Sequence, residues 1–78
     1  MPSTEISQTI DARGLSCPMP IVKTAQAVKS MTSGQLLEVL ATDAGSTKDF
    51  AAWCKTTGNE LVESSVEGGV YRFVLRRK

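Results

Sequence analysis

Cys17 stands between Ser16 and Pro18 in the run Asp11-Ala-Arg-Gly-Leu-Ser-Cys-Pro-Met-Pro20, where a strand-like segment gives way to a helix-like one. A thiol at a helix start faces the positive end of the helix dipole, and the unbonded N–H groups of a first turn stabilise an anion beside them. Such a thiol ionises below the ordinary cysteine value, and the thiolate is the reactive form. Pro18 fits the first helical position, because its fixed φ suits a helix and the N–H it lacks would have no intrahelical partner there. With Pro20 it stiffens the approach and holds Cys17 outward. A cysteine in this position is read either as a reactive thiol or as a small residue that happens to carry sulfur. The setting tips the reading toward reactivity: Arg13, four residues earlier, brings positive charge toward the sulfur, and Gly14 lets the backbone turn tightly.

The remaining inventory narrows the chemistry. The chain has no histidine, which removes the commonest general base and the commonest metal ligand, and rules out a Cys–His dyad. No metal site and no cofactor site is expected. The second cysteine, Cys54, lies four residues after Phe50 and shares its helix face, the position of a small core hydrophobe; the alternative is a resolving thiol for Cys17. Both thiols are read as free, since a single bridge in a small intracellular domain would be unusual. Met19 offers either an adaptable apolar contact beside the sulfur or simple filling at a helix start. Trp53 covers the edge of the core, with partner docking as the alternative.

The elements that must position these residues follow from periodicity. Apolar Ile6, Ile10 and Ala12 alternate with polar neighbours, which predicts a first strand over Ile6 to Ala12, with Gln8 as its imperfection. Ile21, Val22, Ala25, Val28 and Met31 recur at helical spacing and predict an amphipathic helix from Pro18 to Met31, stopped by Ser33-Gly34. Leu36 to Thr42 is apolar on both faces and should be the central, most buried strand. Ser46 followed by Asp49 resembles a capping box and opens a helix from Thr47 to Thr57 that stops at Gly58. Glu60 to Glu67 and Val70 to Arg77 flank Gly68-Gly69, a two-residue hairpin turn. The order β-α-β-α-β-β predicts an α/β two-layer sandwich: a four-stranded mixed sheet, its first two strands parallel, with both helices on one face.

Seventy-eight residues suit a single domain, spanning residues 1–78. The net charge of +1 calls for neither nucleic acid nor an anionic membrane as partner. The basic end, Arg72, Arg76, Arg77 and Lys78, is read as a solvated strand end, or else as a docking site for an acidic partner. Tyr71 and Phe73 alternate onto one face as core residues rather than as a base-stacking platform. With no basic start, apolar run or cleavage site at the N-terminus, and no stretch of membrane-spanning length, a cytoplasmic protein is expected.

The same residues carry a resemblance. Asp11-Ala-Arg-Gly-Leu-Ser-Cys-Pro-Met-Pro-Ile is similar to the signature of the TusA (SirA-like) sulfur carriers, Cys-Pro-x-Pro after a Leu-Asp-x-x-Gly-Leu-like lead, with Ile10 in the apolar place of that lead. The likeness continues through residues 33–39, 41–43, 46–50 and 57–61. It implies a two-layer sandwich and a persulfide carried on Cys17, with Arg13, Gly14, Pro18 and Pro20 as motif and supporting residues. It also implies two partners, a sulfur donor (a cysteine desulfurase or rhodanese-like protein) and a downstream acceptor protein. In such relays the sulfur ends in tRNA 2-thiouridine or in dissimilatory sulfur oxidation, and the Ala-Thr-Asp and Thr-Gly-Asn-Glu-Leu segments resemble the second group more.

Sulfur transfer is thiolate attack on the outer sulfur of a persulfide, the displacement class of thiol–disulfide exchange, and needs no acid, base or metal. A carrier of this kind is stoichiometric, so it is an enzyme only by convention. The competing reading is a redox or regulatory module in which Cys17 is oxidised and a partner reads the change.

Overall fold

The computed structural model describes residues 6–16 and 18–78. Its elements are β1 (Ile6–Ala12), α1 (Met19–Lys29), β2 (Leu36–Ala41), α2 (Ser46–Thr57), β3 (Glu60–Glu67) and β4 (Val70–Arg76). The four strands form one sheet in the order β1-β2-β4-β3, with β1 and β2 parallel and the other pairs antiparallel. Helices and sheet meet in one apolar core, as the α/β sandwich reading requires.

Alternation along β2 and β4 decides which side faces the helices. Leu37, Val39 and Ala41 of β2 and Phe73 and Leu75 of β4 enter the core, joined by Phe50 and Cys54 of α2 and by Met31 just past α1. Phe50 and Phe73 are wholly buried, and β2 is the most enclosed strand, as its two-sided apolar sequence predicts. Gln8 is indeed where β1 departs from regularity. The register with β2 shifts between Ile6 and Gln8, so Ile6 is out of phase with the core-facing Ile10 and Ala12.

The opposite side of the sheet carries charge. Arg72 bridges Glu38 of β2 and Glu63 of β3, Arg76 pairs with Glu60, and Thr9 donates to Glu38. These cross-strand pairs engage two of the four basic residues at the chain's end, and a third, Arg77, donates through Nε to the Val28 carbonyl at 2.8 Å. The strand-end reading of that segment therefore fits better than a free docking surface.

Several sequence expectations need correction. The first helix starts at Met19, not Pro18: Pro18 is its N-cap, with φ −99° and ψ 15°, and Pro20 takes a first-turn position. It also ends at Lys29 rather than Met31, and Gly34 turns the chain into β2, donating its N–H to the Arg77 carbonyl. Val22, placed in the buried stripe by spacing, is 38% exposed, while polar Thr24 is fully buried. Thr24 is tolerated there because its hydroxyl donates to the Pro20 carbonyl at 2.8 Å. Ser46 does not cap α2. Gly45 is the N-cap, and the Ser46 hydroxyl is buried without a partner among the described residues. β2 and β4 each stop one residue short of the expected end, at Ala41 and Arg76. The closing turn fulfils its prediction: Gly68 and Gly69 have φ of 57° and 80°, the pair of positive values that a two-residue hairpin demands.

Candidate functional site

Because β1 and β2 run parallel with Ala12 opposite Ala41, their carboxyl ends share one edge of the sheet. The loop into α1, which contains Cys17 in sequence, thus leaves beside the loop into α2. Ligand and reaction sites of α/β sheets gather at such strand ends.

The first loop begins with a turn in which the Leu15 amide donates to the Ala12 carbonyl at 3.2 Å. Gly14 sits within it at φ 79°, a value that side-chain-bearing residues rarely adopt, so the tight turn expected of this glycine is present. The Gly14 amide donates to Oγ1 of Thr42, in the neighbouring loop, at 2.9 Å. On the far side of the thiol's place in the sequence, Met19 N–H donates to the Ser16 carbonyl at 2.9 Å and Val22 N–H to the Pro18 carbonyl at 3.0 Å, which starts α1. Pro20 is buried, so its contribution includes packing, whereas Pro18 is exposed. Met19 is also exposed, at 43%. Cys17 itself lies outside the described residues, and so do the expectations that it points outward and lies near Arg13.

Arg13 has a partner that its sequence reading did not name. Its Nε and Nη2 donate to the two carboxylate oxygens of Asp11 at 2.8 and 3.0 Å, and its backbone N–H donates to the same carboxylate. These hydrogen bonds hold the Asp11 carboxyl down at about 2 and raise the guanidinium's value. Around neutral pH the pair is a compact dipole with little net charge to lend the loop. Both side chains are exposed, so the pair orders the loop more than it stabilises the fold.

The two helix starts on this edge differ in a way that matters for an anion. α2 carries Asp49 in its first turn, and Asp43 lies close by: a Cβ on Gly45 would sit 3.4 Å from one carboxylate and 3.7 Å from the other. Its positive end is already answered. α1 has no acidic residue in its first turn and, among the described residues, no side-chain cap, so its end is left to favour a negative charge from elsewhere. The residue immediately before its N-cap is Cys17.

Cys54 answers its expectation fully. It lies on the core face of α2, 4% exposed and unpaired, and burial pushes its thiol up to about 11. Such a thiol is inert at neutral pH. Trp53 is half-buried against the core and lines a groove with Val28, Asn59 and Arg77. Sequence reasoning gave no part to Asp11 as the partner of Arg13 or to Thr42 as a partner of the motif loop. For Asp11 the signal was available in the Asp-x-Arg spacing. For Thr42 it appears only once β1 and β2 are known to pair in parallel.

A family model described as Sulfurtransferase TusA matches residues 8–77. The chain is 49% identical over 73 residues to the sulfur carrier protein TusA of Allochromatium vinosum, covering 94% of this chain and 96% of that protein. It is 46% identical over 70 residues to the putative sulfur carrier protein YrkI of Bacillus subtilis, covering 90% and 93% of the two chains. Among solved structures, a SirA-like protein from Desulfitobacterium hafniense superposes with a TM-score of 0.78 at 24% identity, over 88% of this chain and 95% of that one, a likeness of fold. The fold and these matches agree: the chain belongs to the TusA sulfurtransferase family.

Proposed function

We propose that this protein is a sulfur carrier in which Cys17 accepts sulfane sulfur as a persulfide and passes it to an acceptor protein. The observation that carries the reading is the start of α1: a helix end with no acid and, among the described residues, no side-chain cap, whose N-cap Pro18 directly follows the motif cysteine. A negative sulfur placed there gains from the helix dipole, by about 0.3–1 kcal/mol at an exposed position. The Cys17 thiolate attacks the outer sulfur of the donor's persulfide. The donor's S–S bond breaks, a new S–S bond forms on Cys17, and the donor leaves as a thiolate. Delivery repeats the exchange with Cys17 as the leaving group. No general base is needed, in keeping with a chain that has no histidine.

The donor is a protein that generates a cysteine persulfide, of the desulfurase or rhodanese-like kind, and the acceptor presents a thiol. Exposed Met19 and Pro18 give the partner an apolar contact next to the sulfur. Arg13 and Gly14 shape the loop. Relay chemistry of this kind belongs in the cytoplasm, where thiols stay reduced. Among the described residues no helix is long and apolar enough to cross a membrane.

The test is intact-mass measurement after incubating the reduced protein with polysulfide and then with an acceptor thiol protein. The expected result is a one-sulfur gain on Cys17 that moves to the acceptor, and no gain in Cys17→Ser. Loading and transfer that persist in Cys17→Ser overturn the proposal.

A further inference from the structure

Among the described residues, one hydrogen bond joins the motif loop to the loop that follows β2: the Gly14 amide to Thr42 Oγ1, at 2.9 Å. We propose that Thr42 is a positioning residue for the sulfur site, its hydroxyl oxygen fixing the path that the chain takes from β1 to the start of α1. The proposal rests on the reading of Cys17 as the sulfur-bearing residue. Three features support it. Parallel pairing with Ala12 opposite Ala41 leaves Thr42 one residue beyond the sheet, level with the turn that starts at Arg13. The bond ends on the amide of the one residue in that turn held at positive φ, so it acts where the chain changes direction. Threonine is stiff about its first side-chain torsion, so its oxygen is presented with little freedom. The turn's other bonds, Leu15 to Ala12 and Arg13 to Asp11, join it only to the end of its own strand. The Thr42 contact supplies a second anchor, from an element rooted in the most buried strand.

Thr42→Val keeps the shape of the side chain and deletes the acceptor, whereas Thr42→Ser keeps the acceptor. Neither alters the charged groups of the two loops and helix starts, Asp11, Arg13, Asp43, Lys48 and Asp49. Three quantities are to be measured on each variant: hydrogen exchange of the Gly14 amide, the pH midpoint of Cys17 alkylation, and the rate of sulfur transfer from Cys17 to an acceptor thiol protein. In Thr42→Val we expect faster Gly14 exchange, a Cys17 midpoint moved upward, and transfer slowed about two- to fivefold, the worth of one exposed hydrogen bond. Thr42→Ser should restore all three. Buried Cys54 serves as an internal control and should stay unreactive throughout. The proposal is overturned if Thr42→Val leaves midpoint and transfer unchanged, if serine fails to restore them, or if Cys54 becomes reactive in step with Cys17, since the whole fold would then have loosened. Midpoint and exchange need no sulfur donor, so they judge Thr42 even if Cys17→Ser shows that sulfur travels by another residue.

Discussion

The rings of Phe50 and Phe73 lie 4.5 Å apart between centroids and 21° from parallel, both wholly buried, one on α2 and the other on β4. This contact fastens the second helix to the sheet at the centre of the core. Phe50→Ala removes most of a buried ring and should cost about 3–5 kcal/mol. Small domains hold only about 5–15 kcal/mol in total, so the variant should be close to unfolding at room temperature. Urea denaturation followed by Trp53 fluorescence will show this; a midpoint near that of the unsubstituted protein would mean that the core collapses around the gap.

The two thiols should separate cleanly by pH. Cys54 has its value raised from 9.0 to about 11 by burial. The sign follows from the neutral form being the one favoured in the fold: that stability is fully present below the unfolded value of 9 and is lost as pH rises through about 11. Iodoacetamide at pH 8 should therefore modify one cysteine in the native protein and two in denaturant, and peptide mapping should place the first at Cys17. Rapid native modification of Cys54 would contradict its place in the core.

Ser46 offers a test in which two readings of one residue predict opposite signs. As a helix cap its loss would cost about 1 kcal/mol. As a buried hydroxyl without a partner among the described residues, it burdens the fold, and Ser46→Ala should raise stability by about 1 kcal/mol. Thermal unfolding of the two proteins decides between them.

The Asp11–Arg13 pair predicts a charge pattern rather than a single effect. Arg13→Ala leaves the Asp11 carboxylate unanswered beside the motif loop and should move the Cys17 alkylation midpoint up. Asp11→Asn frees the guanidinium and should move it down, and the double variant should return near the starting value. Asp11 stays ionised until pH approaches about 2, so the pair is intact throughout the range in which a thiol titrates. Equal midpoints in all four proteins would show that neither charge reaches the sulfur.

How much of this was legible beforehand depended on the range of the interactions concerned. The strand and helix order, the Gly68-Gly69 turn, the enclosure of β2 and the burial of Cys54 rest on local periodicity and turn chemistry, which sequence displays directly. Val22 was misplaced, and the burial of Thr24 went unread, because the buried stripe of α1 is set by where the sheet lies beneath it, and a threonine that can bond the preceding turn passes for apolar there. The cap at Ser46 failed for a similar reason: the chain enters α2 through Gly45, and packing turns the serine inward. At the site, Cys17, Gly14 and the prolines were visible as a motif. Thr42 was not, because its partner lies 28 residues away and only the pairing of two strands brings them together.

The placement of β4 bears on how the protein is made. It is the last strand in sequence yet lies inside the sheet, between β2 and β3, and gives Phe73 and Leu75 to the core. Until β4 has been synthesised, β2 lacks its inner neighbour and α2 lacks the Phe73 ring on which Phe50 packs, so β1 and β2 must wait as an unfinished pair. Truncation before Val70 should leave no smaller folded remnant. The motif loop precedes β4 in the chain yet gains a finished sheet beneath it only when β4 is in place, so sulfur loading should report on molecules whose sheet is closed.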